Sequence, residues 1–231
     1  MKRIIILILL VVGLLILVNV RFDKAPEDVA FENGESMCFY RQVPASREGF
    51  DVSLLTLIQS EGSIFGEFKN LPAETDSKIG EFEGSLVSDD GTTKVFDLSW
   101  SSFAEGMYVT EELRIEVSGD TARVGFGEMV DGGDGVYEYL DKENMGAWLS
   151  LSKEPCDYFN ERIVVEDHLR ESIASIAPKE AVLGGRWYVV SLSIDPQEKT
   201  GFVVYEDGHI QEQSNFEYEI GEVGQVFINF N

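Results

Sequence analysis

The sequence predicts a mainly β protein with an N-terminal membrane helix, an antiparallel β-barrel-like unit, and a small α+β unit of one helix on an antiparallel sheet. Three observations carry this reading. Ile4–Val18 is an unbroken apolar run; from Met37 to Ser152 short β-rich runs alternate with glycine-bearing turns; and beyond Cys156 apolar residues fall at helical spacing once before strands resume.

The apolar run sets the first element. Ile4 to Val20 at about 1.5 Å per residue makes roughly 25 Å of helix, enough for a thin or locally adapted bilayer. Val18-Asn19-Val20-Arg21 offers no small-x-small cleavage site, and no cysteine lies close enough for lipid attachment. An uncleaved signal anchor over residues 1–22 is therefore preferred to a cleaved signal peptide. Lys2 and Arg3 then hold the N-terminus inside, although Arg21 and Lys24 weaken the asymmetry. A charged linker, 23–35, follows. The remainder is expected to be extracytoplasmic, at the cell surface or in the periplasm.

Two cysteines, Cys38 and Cys156, lie beyond the anchor. Outside the cytoplasm their pairing is the simplest reading, the alternative being two separate buried thiols. Neither sits in a Cys-x-x-Cys motif or beside a basic group that would make it reactive.

Residues 36–158 read as eight or nine strands, beginning with Met37–Val43, counting Val136–Leu140 in the series and ending with Trp148–Leu151, joined by Ser60-Glu-Gly, Asp89-Asp-Gly-Thr and Ser118-Gly-Asp turns. Tight successive hairpins favour up-and-down order, and Gly66, Gly80, Gly84, Gly125 and Gly127 inside strands suit the bends of a closing barrel. Residues 159–231 begin with an amphipathic helix carrying Val165, Leu169, Ile173 and Ile176, stopped by Pro178. About four strands follow, and the helix is expected to cover one apolar face of their sheet.

Charge excludes one class of function. The chain has 18 Lys+Arg against 42 Asp+Glu, a formal net charge of -24, which repels a phosphate backbone; nucleic acid is not a partner. Residues 25–158 hold 9 Lys+Arg against 28 Asp+Glu, so most of the acidity belongs to the barrel unit. Cations and basic partners are the electrostatically suitable company.

Chemistry-bearing motifs are sparse. His168 and His209 have no third ligand at a metal-site spacing and read as a helix residue and a turn-flanking residue. There is no Gly-x-Ser-x-Gly elbow, dinucleotide fingerprint or phosphate loop, and no catalytic residue is assigned. Glu81 and Glu83 project from one face of a strand, and Glu111/Glu112, Asp89/Asp90 and Glu128 are further acidic groupings. In so acidic a chain such pairs arise by chance. Asp131 and Asp134 in Glu128-Met-Val-Asp-Gly-Gly-Asp-Gly present oxygens on a glycine-rich turn, a weak Ca²⁺ candidate set against an ordinary turn. A barrel lined by Phe65, Phe68, Phe82, Phe96, Trp100, Phe103 and Phe126 has two readings, a filled core, which is preferred, and a cavity for a small apolar ligand.

Leu71-Pro-Ala-Glu-Thr-Asp-Ser-Lys-Ile-Gly-Glu-Phe-Glu-Gly, Phe103-Ala-Glu-Gly-Met with Glu111-Glu-Leu, and Val182-Leu-Gly-Gly-Arg-Trp-Tyr-Val-Val with Val204-Tyr-Glu-Asp-Gly-His-Ile resemble stretches of uncharacterised, membrane-anchored exported bacterial proteins. The strand pattern of the larger unit is also loosely similar to calycin or lipocalin-like domains. The resemblance implies a bacterial, membrane-anchored origin and transfers no activity or catalytic residue. The functional expectation is a non-enzymatic binding or interaction protein of the bacterial envelope, engaging an envelope protein or a small ligand. The alternative is a carboxylate-based hydrolase acting on an envelope polymer.

Overall fold

A computed structural model of the chain describes residues 34–231; the expected anchor (1–22) and most of the linker lie outside the described residues. Among the described residues no helix is long and apolar enough to cross a membrane.

Eight antiparallel strands close a barrel. β1 (Ser36–Pro44), β2 (Phe50–Ser60), β3 (Ser63–Leu71), β4 (Lys78–Asp89), β5 (Lys94–Ala104), β6 (Met107–Ser118) and β7 (Thr121–Phe126) pair in sequence order, and β10 (Ala147–Glu154) joins β7 back to β1. Turn chemistry explains this order. Glu61 and Gly62, and again Glu105 and Gly106, take positive φ in two-residue hairpins, the backbone whose twist matches that of the strands it connects. Inside the wall, a Cβ on Gly66 would lie 1.8 Å from the Thr56 carbonyl oxygen, and one on Gly80 would lie 2.1 Å from that of Ser101. These two positions let neighbouring strands approach where the wall bends.

The barrel is filled by its own side chains. Phe39, Leu55, Leu57, Phe68, Phe96 and Trp100 are among the buried core residues, with Phe68 and Trp100 ring centroids 5.2 Å apart. The Trp100 indole N–H donates to the Gly80 carbonyl at 3.0 Å, so the largest core side chain leaves no polar atom unpaired. Of the seven aromatic residues expected to line the interior, Phe68, Phe82, Phe96 and Trp100 do so. Phe65, Phe103 and Phe126 are instead 40%, 45% and 37% exposed. Strand alternation puts Phe65 and Phe103 on the outer face, opposite in parity to their buried neighbours, and Phe126 ends its strand.

The run around Val136 is not a barrel stave. β8 (Met129–Asp131) and β9 (Val136–Tyr139) form a hairpin, and β9 pairs in parallel with Thr110 and Glu111 of β6. That upper part of β6 lies beyond its pairing with β7, which covers Ile115–Ser118.

α1 (Cys156–Ile176) follows, and the β-sheet of β11 (Tyr188–Asp195), β12 (Thr200–Glu206), β13 (Gln211–Ile220) and β14 (Val226–Phe230) is antiparallel in that order. Val165, Leu169 and Ile173 cover one face of this sheet, packing with Trp187, Val203, Tyr205 and Phe216. The other face of the helix meets the barrel: Phe159 is buried with Cys38, Val52 and Leu54, and Ile163 packs alongside. Cys38 and Cys156 are disulfide-bonded, with Cα atoms 5.2 Å apart, tying the first helical turn to β1. A second junction joins the Phe50 N–H to Ser191 Oγ at 2.8 Å, beside the edge-on contact of Phe50 with Phe202.

Candidate functional site

Because α1 lies between a barrel wall and a sheet, it leaves a groove on each flank. The larger, about 750 Å³, runs between Phe159, Asn160 and Ile163 of α1 and the outer wall of β2–β5. Register assembles that wall. Glu67 of β3 stands directly opposite Glu81 of β4, Phe65 opposite Glu83, and Ser101 and Ser99 of β5 extend the same two rows. Three glutamates therefore share one outward face around the exposed Phe65 ring. Like charges directly opposite in a sheet destabilise it unless a cation offsets them. Lys69 reaches Glu67 at 3.5 Å; neither Glu81 nor Glu83 has an ion-pair partner among the described residues.

The second groove, about 610 Å³, has Tyr40, Ser152 and Glu154 on one side and Ser193, Asp195 and Gln197 on the other, with Tyr158 and Arg162 of α1 at its base. Here the charges are satisfied internally. Arg162 Nη1 donates to both Glu154 oxygens, at 2.9 and 2.7 Å, and its Nε donates to the Ile194 carbonyl at 3.2 Å. Its guanidinium also stacks over the Tyr40 ring. Burial pushes the Glu154 carboxyl above its ordinary range despite the arginine. Burial likewise drives the Tyr40 phenol up to about 12, against the opposing pull of Arg162. This side chain set joins barrel, helix and sheet, and its chemistry is structural.

The residues singled out from sequence are scattered. Glu81 and Glu83 lie in the larger groove. Glu111 is paired with Lys78 at 2.5 Å, and Glu112 with Lys142 at 2.6 Å while also accepting the Tyr139 N–H. Asp89 is paired with Lys94, and Asp90 accepts from Thr92 and Thr93 within its turn. Asp131 Oδ1 accepts the Gly133 N–H at 2.8 Å and Asp134 Oδ1 the Val136 N–H at 3.1 Å, so each carboxylate braces its own turn. Among the described residues no group of three or more His, Cys, Asp or Glu side chains is placed to hold a metal ion. His168 lies on α1 and His209 in the turn before β13, where its N–H donates to Asp207.

Two residues were missed from sequence. Glu67 shares the outer face of β3 with Phe65, which the alternation of Phe65-Gly-Glu-Phe68 marks, and the β3–β4 register sets it opposite Glu81. Arg162 left no local signal, since its partners come from β1, β10 and β11.

The closed eight-stranded antiparallel barrel is compatible with a calycin-like fold. No protein-family model, curated protein or solved structure matches the chain. No relative therefore supplies a role for either groove.

Proposed function

We infer that this chain is a non-enzymatic binding protein of the bacterial envelope, held by its N-terminal anchor, with the groove between α1 and β2–β5 as its binding surface for a basic partner. The observation that carries this is the row of Glu67, Glu81 and Glu83 around an exposed phenyl ring. It is an anionic, partly apolar wall that the described residues leave short of cations. Lysine or arginine side chains would offset the repulsion between the facing glutamates, and their alkyl stems would lie on Phe65. The disulfide fits an oxidising compartment, and the apolar run at Ile4–Val18 fits membrane attachment.

The hydrolase alternative requires two carboxylates facing each other across a sugar-sized cleft. In this groove the acids share one wall, while α1 contributes Phe159, Asn160 and Ile163 to the other. That arrangement favours binding over general acid–base work.

Titration of the full chain in neutral detergent with a flexible lysine–glycine octapeptide tests the reading. Binding should weaken about tenfold or more in a Glu67→Gln, Glu81→Gln, Glu83→Gln variant, three exposed ion pairs being worth on the order of 0.5 kcal/mol each. Equal affinity of the two proteins would refute it.

A further inference from the structure

The two edges of the four-stranded sheet differ in how the rest of the molecule treats them. β11 is bulged between Val189 and Ser191 and lies against the barrel, where Ser191 accepts the Phe50 N–H. β14 ends the sheet, with no strand beyond it among the described residues. Two backbone bonds fix the direction of its polar groups. The Gly221 N–H donates to the Gln225 carbonyl at 2.8 Å and the Asn231 N–H to the Asn215 carbonyl at 3.0 Å. Positions 225, 227, 229 and 231 therefore bond to β13, and antiparallel alternation turns the N–H and C=O of Val226, Ile228 and Phe230 outward along the free edge.

The side chains of β14 match this open backbone. Val226-Phe-Ile-Asn-Phe230 has no charge, proline or bulge, the devices that ordinarily blunt an edge. On the inner face Ile228 and Phe230 sit half-buried at the margin of the core under α1. On the outer face Phe227 is 58% exposed. One strand further in, Glu219 stands opposite Phe227, and Glu217 opposite Asn229. Glu219 has no cation partner among the described residues, and Glu217 accepts only an amide, from Asn231 at 3.4 Å. The neighbouring Lys199 is engaged by Glu161 at 2.6 Å.

We propose that the β14 edge is a strand-addition site for an extended, lysine- or arginine-bearing segment of a partner polypeptide. An added strand lies about 4.8 Å from β14 and hydrogen-bonds to Val226, Ile228 and Phe230. Its inward apolar side chains cover Ile228 and Phe230. Its outward basic side chains pass Phe227 and meet Glu217 and Glu219 about 10 Å away, two strand spacings that the long basic and acidic side chains span between them. A second copy of this chain fits the edge poorly, because it brings an uncharged strand and another net charge of -24, and supplies no cation to Glu219. The surface is separate from the groove beside α1, and recognition runs through the backbone, so the two readings stand or fall independently.

The test uses the full chain in neutral detergent with a strand-forming peptide that alternates lysine and valine, and its glutamate–valine counterpart. With the lysine peptide, amide exchange at Val226, Ile228 and Phe230 slows about tenfold or more, as expected when an edge becomes paired. The glutamate peptide leaves it unchanged. A Glu217→Gln, Glu219→Gln variant, which touches no buried group, binds roughly 5- to 10-fold more weakly with the same thermal midpoint. Ile228→Pro removes one edge N–H and abolishes binding; the paired glutamate variant keeps the test valid should proline unsettle the strand. Three results would each overturn the proposal: protection of those amides in the peptide-free chain that falls on dilution, peptide-induced protection on β3 and β4 instead of β14, or no protection at all.

Discussion

The guanidinium of Arg162 lies 3.8 Å from the centre of the Tyr40 ring, and through this contact one helix side chain bridges both units of the molecule. Its ion pair with Glu154 is nearly dry, with side-chain exposures of 12% and 13%. Removing one member strands the other charge, which typically costs about 3–5 kcal/mol. Arg162→Met should therefore lower the unfolding free energy by that order in urea melts. The paired Arg162→Met, Glu154→Gln variant should recover a large part of the loss.

Glu154 also gives the fold a pH dependence of defined sign. Burial raises its folded carboxyl above the ordinary value of 4.5. The stabilisation from its protonated form is complete below 4.5 and is lost as pH climbs through the raised folded value. Glu154→Gln should gain stability relative to the parent as pH rises from about 4 towards neutrality. A constant difference across that range would contradict the assignment.

The Cys38–Cys156 bond spans a sequence separation of 118 and fastens α1 to the barrel wall. In the chain-entropy description a loop of that length contributes about 4–5 kcal/mol. Cys38→Ser with Cys156→Ser should lower the thermal midpoint markedly, and thiol titration of the denatured, non-reduced parent should find none from this pair.

Close approach of strands at the interior glycines predicts a steep, position-specific cost. Gly66→Ala drives a methyl group into the Thr56 carbonyl, and Gly80→Ala into that of Ser101. Each should destabilise by about 1–3 kcal/mol or more. Nothing lies within 4 Å of a Cβ at Gly146, where φ is not positive, apart from the Phe126 carbonyl oxygen at 3.6 Å. Gly146→Ala should be nearly neutral in the same melts.

Export itself is testable in cells. Glu105, in the exposed β5–β6 turn, tolerates a probe because its side chain faces solvent. The Glu105→Cys variant should react with a membrane-impermeant maleimide once any outer barrier is opened, while the cytoplasmic membrane remains sealed. Labelling only after lysis would place the barrel in the cytoplasm.

The barrel was legible because hairpin chemistry is local: Glu61-Gly62 and Gly119 declare their turns, and alternation marks Leu55, Leu57, Phe96, Leu98 and Trp100 as one face. Val136–Tyr139 misled because a strand's composition does not name its neighbour. It pairs with the part of β6 that β7 leaves open. The binding groove was half legible. Glu81 and Glu83 declare a shared face within β4, but their meeting with Glu67 needs the β3–β4 register, and the opposite wall needs the docking of α1. Neither is encoded within a window of neighbouring residues.

The proposed binding surface is the outer wall beside α1, not the barrel interior. Residue-resolved amide shifts during titration with the lysine–glycine octapeptide test this most directly. A compact footprint on Phe65, Glu67, Glu81, Glu83 and Asn160 is expected, with the core around Phe68, Phe96 and Trp100 unmoved. Shifts centred on that core, or spread evenly over the acidic surface, would contradict it.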